Sequence, residues 1–359
     1  MIKNKKILVV GAGGFIGGHL VKRLLENNNF IVAVDIKPKE YWFQEYDNTQ
    51  NHYSMDMKEI NNCRKVTKNI DYVFNMACNM GGMGFIENNK AECMQSVLIN
   101  TNLLIACRED GIKKYFFSSS ACAYNQTKQQ NTFIDGLKEK DAYPADPEDG
   151  YGWEKLFSER MCRHFMEDYG IEVRIARYHN IYGPFGTYDG GREKAPAALC
   201  RKIIYAKKND HDEIEVWGDG KQTRSFLFID DCVEGTLRLF ESDYSEPVNI
   251  GSDEQVSINQ MIDIIEDISN IKKLKRDYQL DKPKGVRGRS SDNTYVTKIN
   301  NMSSMLELGD PSNSSELDFV ESILITFSYL IGVKSLLMSQ MVGAQCSTRA
   351  PCSMERADS

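Results

Sequence analysis

No stretch of this 359-residue sequence is long and apolar enough to be read as a membrane span. The most apolar late segment, residues 323–338, is interrupted by Thr326, Ser328, Lys334 and Ser335, whereas a span needs about 20 predominantly apolar residues. The opening MIKNKKILVV reaches a glycine loop after one short apolar run, without the longer apolar core and small-residue cleavage site of a secretory signal. Ten cysteines include no CxxC pair and read as reduced thiols, so a cytoplasmic location is expected. No HExxH string and no cluster of histidine, cysteine and carboxylate points to a metal. Basic charge is not in excess: 44 Lys and Arg against 51 Asp and Glu leave a net −7, which argues against a general nucleic-acid binder. No internal repeat is visible.

What remains is an ordinary globular composition, 41% apolar and 26% charged, with length for about two domains. Residues 6–10, 30–34, 71–75, 114–118 and 171–177 read as buried strands. Between them lie helical patterns at residues 15–26, around 90–108 and at 151–169, the last stopping at Gly170, a natural left-handed cap. Strands alternating with helices predict an α/β, Rossmann-type doubly wound parallel sheet. Glycine, proline and charge mix through residues 184–196 and 279–291, so residues 1–180 are expected to be mainly the dinucleotide domain. Residues 181–337 are then a smaller mixed substrate domain with interleaving segments, and 338–359 a disordered tail.

Gly11-Ala-Gly13-Gly14-Phe15-Ile16-Gly17 sits between the first strand and the first helix. Such glycines allow a tight turn and close approach of backbone N–H groups to a pyrophosphate, which meets the positive end of the helix. Asp35 ends the second strand, where it accepts ribose hydroxyls and disfavours a 2′-phosphate, so NAD is expected over NADP; nearby Lys37 softens that preference. Asp56 is a weaker candidate for the adenine side. Tyr151 and Lys155 stand four apart on one helix face. A phenol with an ordinary pKa near 10 is a poor base until a cation stabilises its phenolate, and Lys155 and an oxidised nicotinamide ring are expected to supply that charge. Ser118-Ser119-Ser120 ends a strand upstream, where a hydroxyl can join Tyr151 on a substrate oxygen.

This set resembles the extended short-chain dehydrogenase/reductase family, whose members modify nucleotide sugars. Residues 177–184 (RYHNIYGP, centred on Asn180), 224–230 (RSFLFID) and 248–251 (VNIG) resemble its substrate-binding, diphosphate-arginine and turn segments. Four segments are similar to the branch that inverts carbons 3 and 5 of the hexose in GDP-D-mannose: residues 75–86 (NMACNMGGMGFI), 119–124 (SSACAY), 184–202 (PFGTYDGGREKAPAALCRK) and 285–293 (GVRGRSSDN). The similarity covers roughly residues 5–297. After that it weakens: the tryptophan that follows a leucine–glycine pair in relatives is absent from Leu308-Gly309-Asp310-Pro311.

The chemistry explains these residue types. Oxidising carbon 4 to a ketone acidifies the protons on both neighbouring carbons, so an acid and a base on opposite ring faces can invert them before re-reduction. The resemblance assigns that pair to Cys122 and Lys194. A cation lowers a thiol pKa, and desolvation lowers a lysine; Arg192, Lys202 and the cofactor are candidate sources of the field, with Glu193 opposing. It further implies sugar and nucleotide contacts from Gly81, Gly82, Met83, Ser120, Ala121, Glu193, Ala195, Lys202 and Gln222. Arg224 and one of Arg287 and Arg289 are implied for the diphosphate, because a guanidinium fork fits paired phosphate oxygens. His179 reads as a packed histidine, and cysteines other than Cys122 as inert. A GDP-sugar substrate and a homodimer are implied. Competing readings are a 4-epimerase or 4,6-dehydratase of the same family, and a non-catalytic nucleotide sensor.

Overall fold

The computed structural model describes residues 2–42, 44 and 51–300. Strands β1 (Lys6–Val10), β2 (Phe30–Asp35), β3 (Asn51–Ser54), β4 (Tyr72–Asn75), β5 (Lys114–Ser120) and β6 (Glu172–Tyr178) pair in parallel. The chain then forms β7 (Ile181–Tyr182), β8 (Glu213–Trp217), β9 (Thr223–Arg224) and β10 (Leu227–Phe228), and returns to the sheet as β11 (Val248–Ile250), parallel to β6. The order is β11-β6-β5-β4-β1-β2-β3. Order reverses between β1 and β4, so a crevice opens outside the carboxyl ends of those strands.

Both faces of the sheet are covered, which is why its strands are almost uniformly apolar. In β1 the period-two alternation sends Ile7 and Val9 to one face and Leu8 and Val10 to the other. The first face packs on helices α1 (Phe15–Leu25) and, later in the chain, α8 (Ile229–Glu241). The second is covered by α2 (Ile60–Val66), α5 (Ser96–Glu109) and α6 (Asp149–Tyr169). Short helices α3 (Met83–Asn88) and α4 (Lys90–Met94) follow β4. Gly170 caps α6 at φ 72°, as the sequence predicts.

Three features depart from the sequence reading. The helical pattern at 90–108 is two helices, α4 and α5, divided at Gln95, with the Ser96 hydroxyl accepting the Asn79 N–H at 2.8 Å. Strand β3 carries no apolar run and was not expected. Residues 248–250, read only as a turn, supply the seventh strand, so with α8 they join the large layer. The smaller lobe packs α7 (Ala195–Lys208) and α9 (Ile258–Ile268) on β8 and β13 (Lys275–Gln279), around Leu199, Ile203, Val216, Met261 and Ile265. Beside it, β12 (Val256–Ser257), β9 and β14 (Gly288–Arg289) form a three-stranded sheet. Helix α10 (Thr294–Asn300) is the last described element, and the proposed tail at 338–359 lies outside the described residues.

Candidate active site

The glycine loop is built for close approach. Gly11 has φ 86°, and a Cβ there would sit 2.8 Å from the Ala77 nitrogen; one on Gly17 would sit 2.1 Å from the Gly11 oxygen. No side chain caps α1 at Gly14, so the first-turn N–H groups, including those of Phe15 and Ile16, are left for an anion. Asp35 accepts the N–H of Gly13 at 3.0 Å and that of Lys37 at 3.0 Å. The Lys37 ammonium reaches the Gly13 carbonyl at 3.3 Å, and burial lowers its pKa. Asp56 follows β3, whose Ser54 pairs with Asp35, and accepts the Lys58 N–H at 2.9 Å. Crowded glycines, an uncapped helix start and a strand-end carboxylate fit a dinucleotide. We expect Gly17→Ala to destabilise the fold by about 1–3 kcal/mol through overpacking and to strip bound dinucleotide; thermal unfolding and cofactor content after purification check it.

Across the switch point, β5 delivers Ser120, and the first two turns of α6 deliver Tyr151 and Lys155. Gly152 lets the helix press against the next segment: a Cβ there would lie 2.4 Å from the Cys122 carbonyl oxygen. The Ser120 Oγ accepts the Cys122 N–H at 3.2 Å and lies near enough to the Tyr151 phenol to lower its pKa. Lys155 donates to the Ser118 carbonyl at 3.0 Å, lies 3.6 Å from a Glu154 carboxylate oxygen and 5.6 Å from the centre of the Tyr151 ring. Burial raises the Tyr151 phenol well above its ordinary value; Cys78, Cys122 and Glu154 add to that, and Ser120 opposes it.

Lys194 ends an extended segment as the N-cap of α7. Its turn is pinned by Gly82, whose N–H donates to the Arg192 carbonyl at 3.1 Å and whose Cβ position is 2.4 Å from the Glu193 oxygen. Burial lowers the Lys194 pKa, with Cys122 and Cys78 opposing and Arg289 reinforcing. A cation at a helix N-terminus is also disfavoured by the dipole. The neighbours proposed from sequence do other things. Arg192 donates to Asn79 and the Met80 carbonyl and stacks 3.8 Å over Phe85. Lys202 pairs with Glu215 at 2.8 Å. Glu193 takes Arg201 at 2.9 Å through Oε1, leaving Oε2 buried without a partner.

Burial pushes the Cys122 thiol up, and adjacent Arg289 pulls it down. Arg289 Nη1 donates to Cys122 Sγ at 3.5 Å, Nε to Gln129 Oε1 at 2.7 Å, and Nη2 meets Glu148 at 2.5 Å. Of the two candidate arginines, Arg289 points inward, but to the sulfur, whereas Arg287 grips Asp219 at 2.9 and 3.1 Å on the rim. Arg224, the register partner of Arg289, donates to the Thr223 and Lys284 carbonyls, and burial beside Arg289 lowers it to about 10. Gln222 donates to the Trp217 carbonyl at 2.9 Å while its Oε1 is buried and unpartnered. Asn180 holds the Ser225 carbonyl at 3.0 Å. Ala121 is buried, Ala195 starts α7, and Met83 at the head of α3 crowds Gly285. His179 is fully buried against Asn249, lowered to about 3 by burial, and is no acid or base.

Two residues of this cleft escaped the sequence reading. Cys78, grouped with the inert thiols, has its sulfur 4.0 Å from the Tyr151 hydroxyl. Its place three residues past β4, at the carboxyl edge of the sheet, was the available signal. Glu148 carried none, since only the fold brings it to Arg289. The thiols of Cys63, Cys162 and Cys200 are buried and pushed up to about 12, as inert cysteines are.

The sequence profile of the NAD dependent epimerase/dehydratase family matches residues 7–251. The chain is 49% identical over 295 residues to a GDP-mannose 3,5-epimerase of Arabidopsis thaliana, covering 82% of this chain and 76% of that protein. It is 50% identical over 292 residues to GDP-mannose 3,5-epimerase 1 of Oryza sativa subsp. indica, covering 81% and 75%. Among solved structures, UDP-glucose 4-epimerase of Thermotoga maritima with UDP-glucose superposes with a TM-score of 0.77 at 22% identity, over 92% of this chain and all of that one; this likeness speaks to the fold.

Proposed function

The chain belongs to the NAD-dependent epimerase/dehydratase family, and from that premise we propose that it converts GDP-D-mannose to GDP-L-galactose and GDP-L-gulose. The route is transient oxidation at carbon 4, enolisation toward carbons 3 and 5, and re-reduction. One observation carries the reading: Cys122 packs with Tyr151 and gives its N–H to Ser120, and the Lys194 amine, lowered by burial, lies within electrostatic reach of Cys122. A 4-epimerase needs only the tyrosine and the cofactor and would leave that pair without work.

Gly11, Gly13, Gly14 and Gly17 with the start of α1 would hold the pyrophosphate, and Asp35 the adenosine ribose of NAD. When bound, NAD accepts and returns the carbon-4 hydride and adds positive charge near the phenol. As the phenolate that Lys155 and the charge of bound NAD would favour, Tyr151 takes the carbon-4 hydroxyl proton, while Ser120 hydrogen-bonds the same oxygen and fixes its direction. With carbon 4 a ketone, Cys122 and Lys194 exchange protons at the adjacent carbons. Burial favours the neutral thiol and the neutral amine, a ready acid and a ready base. As negative charge develops on the carbonyl oxygen, the Tyr151 and Ser120 hydroxyls stabilise it. Arg224 is the inward cation left for the diphosphate, and the unpartnered oxygens of Gln222 and Glu193 await substrate donors.

Incubated with GDP-mannose in deuterium oxide, the protein is expected to place deuterium at carbons 3 and 5. Inversion confined to carbon 4 would overturn the proposal. The same reading includes a cytoplasmic location, testable by fractionation. It also includes a homodimer, supported by exposed Leu98 on α5 and by Trp153 and Phe157 on α6, and tested by sedimentation.

A further inference from the structure

The sulfur of Cys122 sits between two opposite charges that come from different parts of the chain. Arg289, on β14 of the smaller lobe, donates to it at 3.5 Å and is itself fixed by Gln129 at 2.7 Å and Glu148 at 2.5 Å. Glu148 immediately precedes α6. Its own N–H donates to the Cys122 carbonyl at 3.2 Å, its carbonyl accepts the Gly152 N–H at 2.8 Å, and its Oε1 accepts the Val286 N–H at 3.3 Å. Both side chains are buried, at 5% and 9% exposure. An ion pair so enclosed costs desolvation that a well-packed apolar pair would avoid, so its presence asks for a use.

We propose that Glu148 and Arg289 are positioning residues that set which form of Cys122, thiol or thiolate, faces the sugar. This rests on the epimerase reading for its purpose, but not for its measurement. The guanidinium favours the thiolate; the carboxylate repels it and absorbs part of the guanidinium's charge. The other charged or titratable groups facing the sulfur are Tyr151 on α6, Lys194 at the start of α7 and Arg224 on β9. Removing the carboxylate charge while keeping its shape leaves Arg289 acting on the sulfur unopposed. The same pair ties the smaller lobe to the start of α6, so lobe placement and thiol ionisation are linked through one contact.

The test is the pH dependence of Cys122 alkylation by iodoacetamide, read by mass spectrometry of the Cys122 peptide in the full-length protein. Glu148→Gln is expected to move the midpoint down by about one pH unit, so that alkylation at pH 7 quickens on the order of tenfold. Arg289→Gln is expected to move it up. Thermal unfolding of Glu148→Gln should stay cooperative, because glutamine retains a hydrogen bond to Arg289. A midpoint in Glu148→Gln that coincides with wild type, or one that rises, overturns the proposal. Absence of deuterium exchange in wild type, with the midpoints still moving as stated, would instead remove the epimerase reading and leave the ionisation device standing.

Discussion

Tyr151→Phe is expected to abolish turnover, by about 10³-fold or more, while leaving the fold and the dinucleotide in place. The phenol is 4% exposed, so phenylalanine fills its volume and removes only the oxygen. Carbon 4 then keeps its hydroxyl proton, no ketone forms, and the hydrogens at carbons 3 and 5 stay as inert as in any hexose. The measurement has two parts: absorbance of reduced nicotinamide after addition of GDP-mannose, and deuterium incorporation by mass spectrometry. Both should vanish together. Deuterium entering at the wild-type rate would show that oxidation at carbon 4 does not precede exchange.

Lys194→Ala should separate those two readouts. Carbon-4 oxidation survives, because Tyr151 and Ser120 are untouched, whereas exchange at carbons 3 and 5 falls by about 10²- to 10⁴-fold. Cys122→Ala should behave alike, and exchange at both carbons as fast as wild type would remove its acid–base role. The pH profile carries a sign. Burial holds the Lys194 ammonium below the usual lysine range, and only the neutral amine accepts a proton. Exchange in wild type should therefore rise with pH through that lowered value, and Lys194→Ala should lose this rising limb.

The contrast between Cys122 and Cys78 shows how far a linear reading extends. Cys122 was singled out because the segments around it resemble a family that uses the position. Cys78 lies in an equally distinctive stretch, yet only the packing of the segment after β4 beside Cys122 and Tyr151 brings its sulfur toward the phenol. Lys155 lies beside the Tyr151 ring on α6, as the spacing predicts. Glu154, one residue earlier, brings a buried carboxylate to 3.6 Å from the ammonium, and a count of spacing does not register that.

The sequence alone determined the parallel sheet, the dinucleotide loop and the helix that carries Tyr151. These rest on contiguous residues: the apolar run of β1, glycines whose missing Cβ atoms define a turn, and helical periodicity ending at Gly170. Tertiary structure decided the seventh strand, the inward choice of Arg289 over Arg287, and the enclosure of Cys122 between Arg289 and Glu148. Those contacts join residues 167 and 141 positions apart. Burial and charge acting over such separations depend on which surfaces meet after the lobes close on one another, and no local pattern of side chains records that.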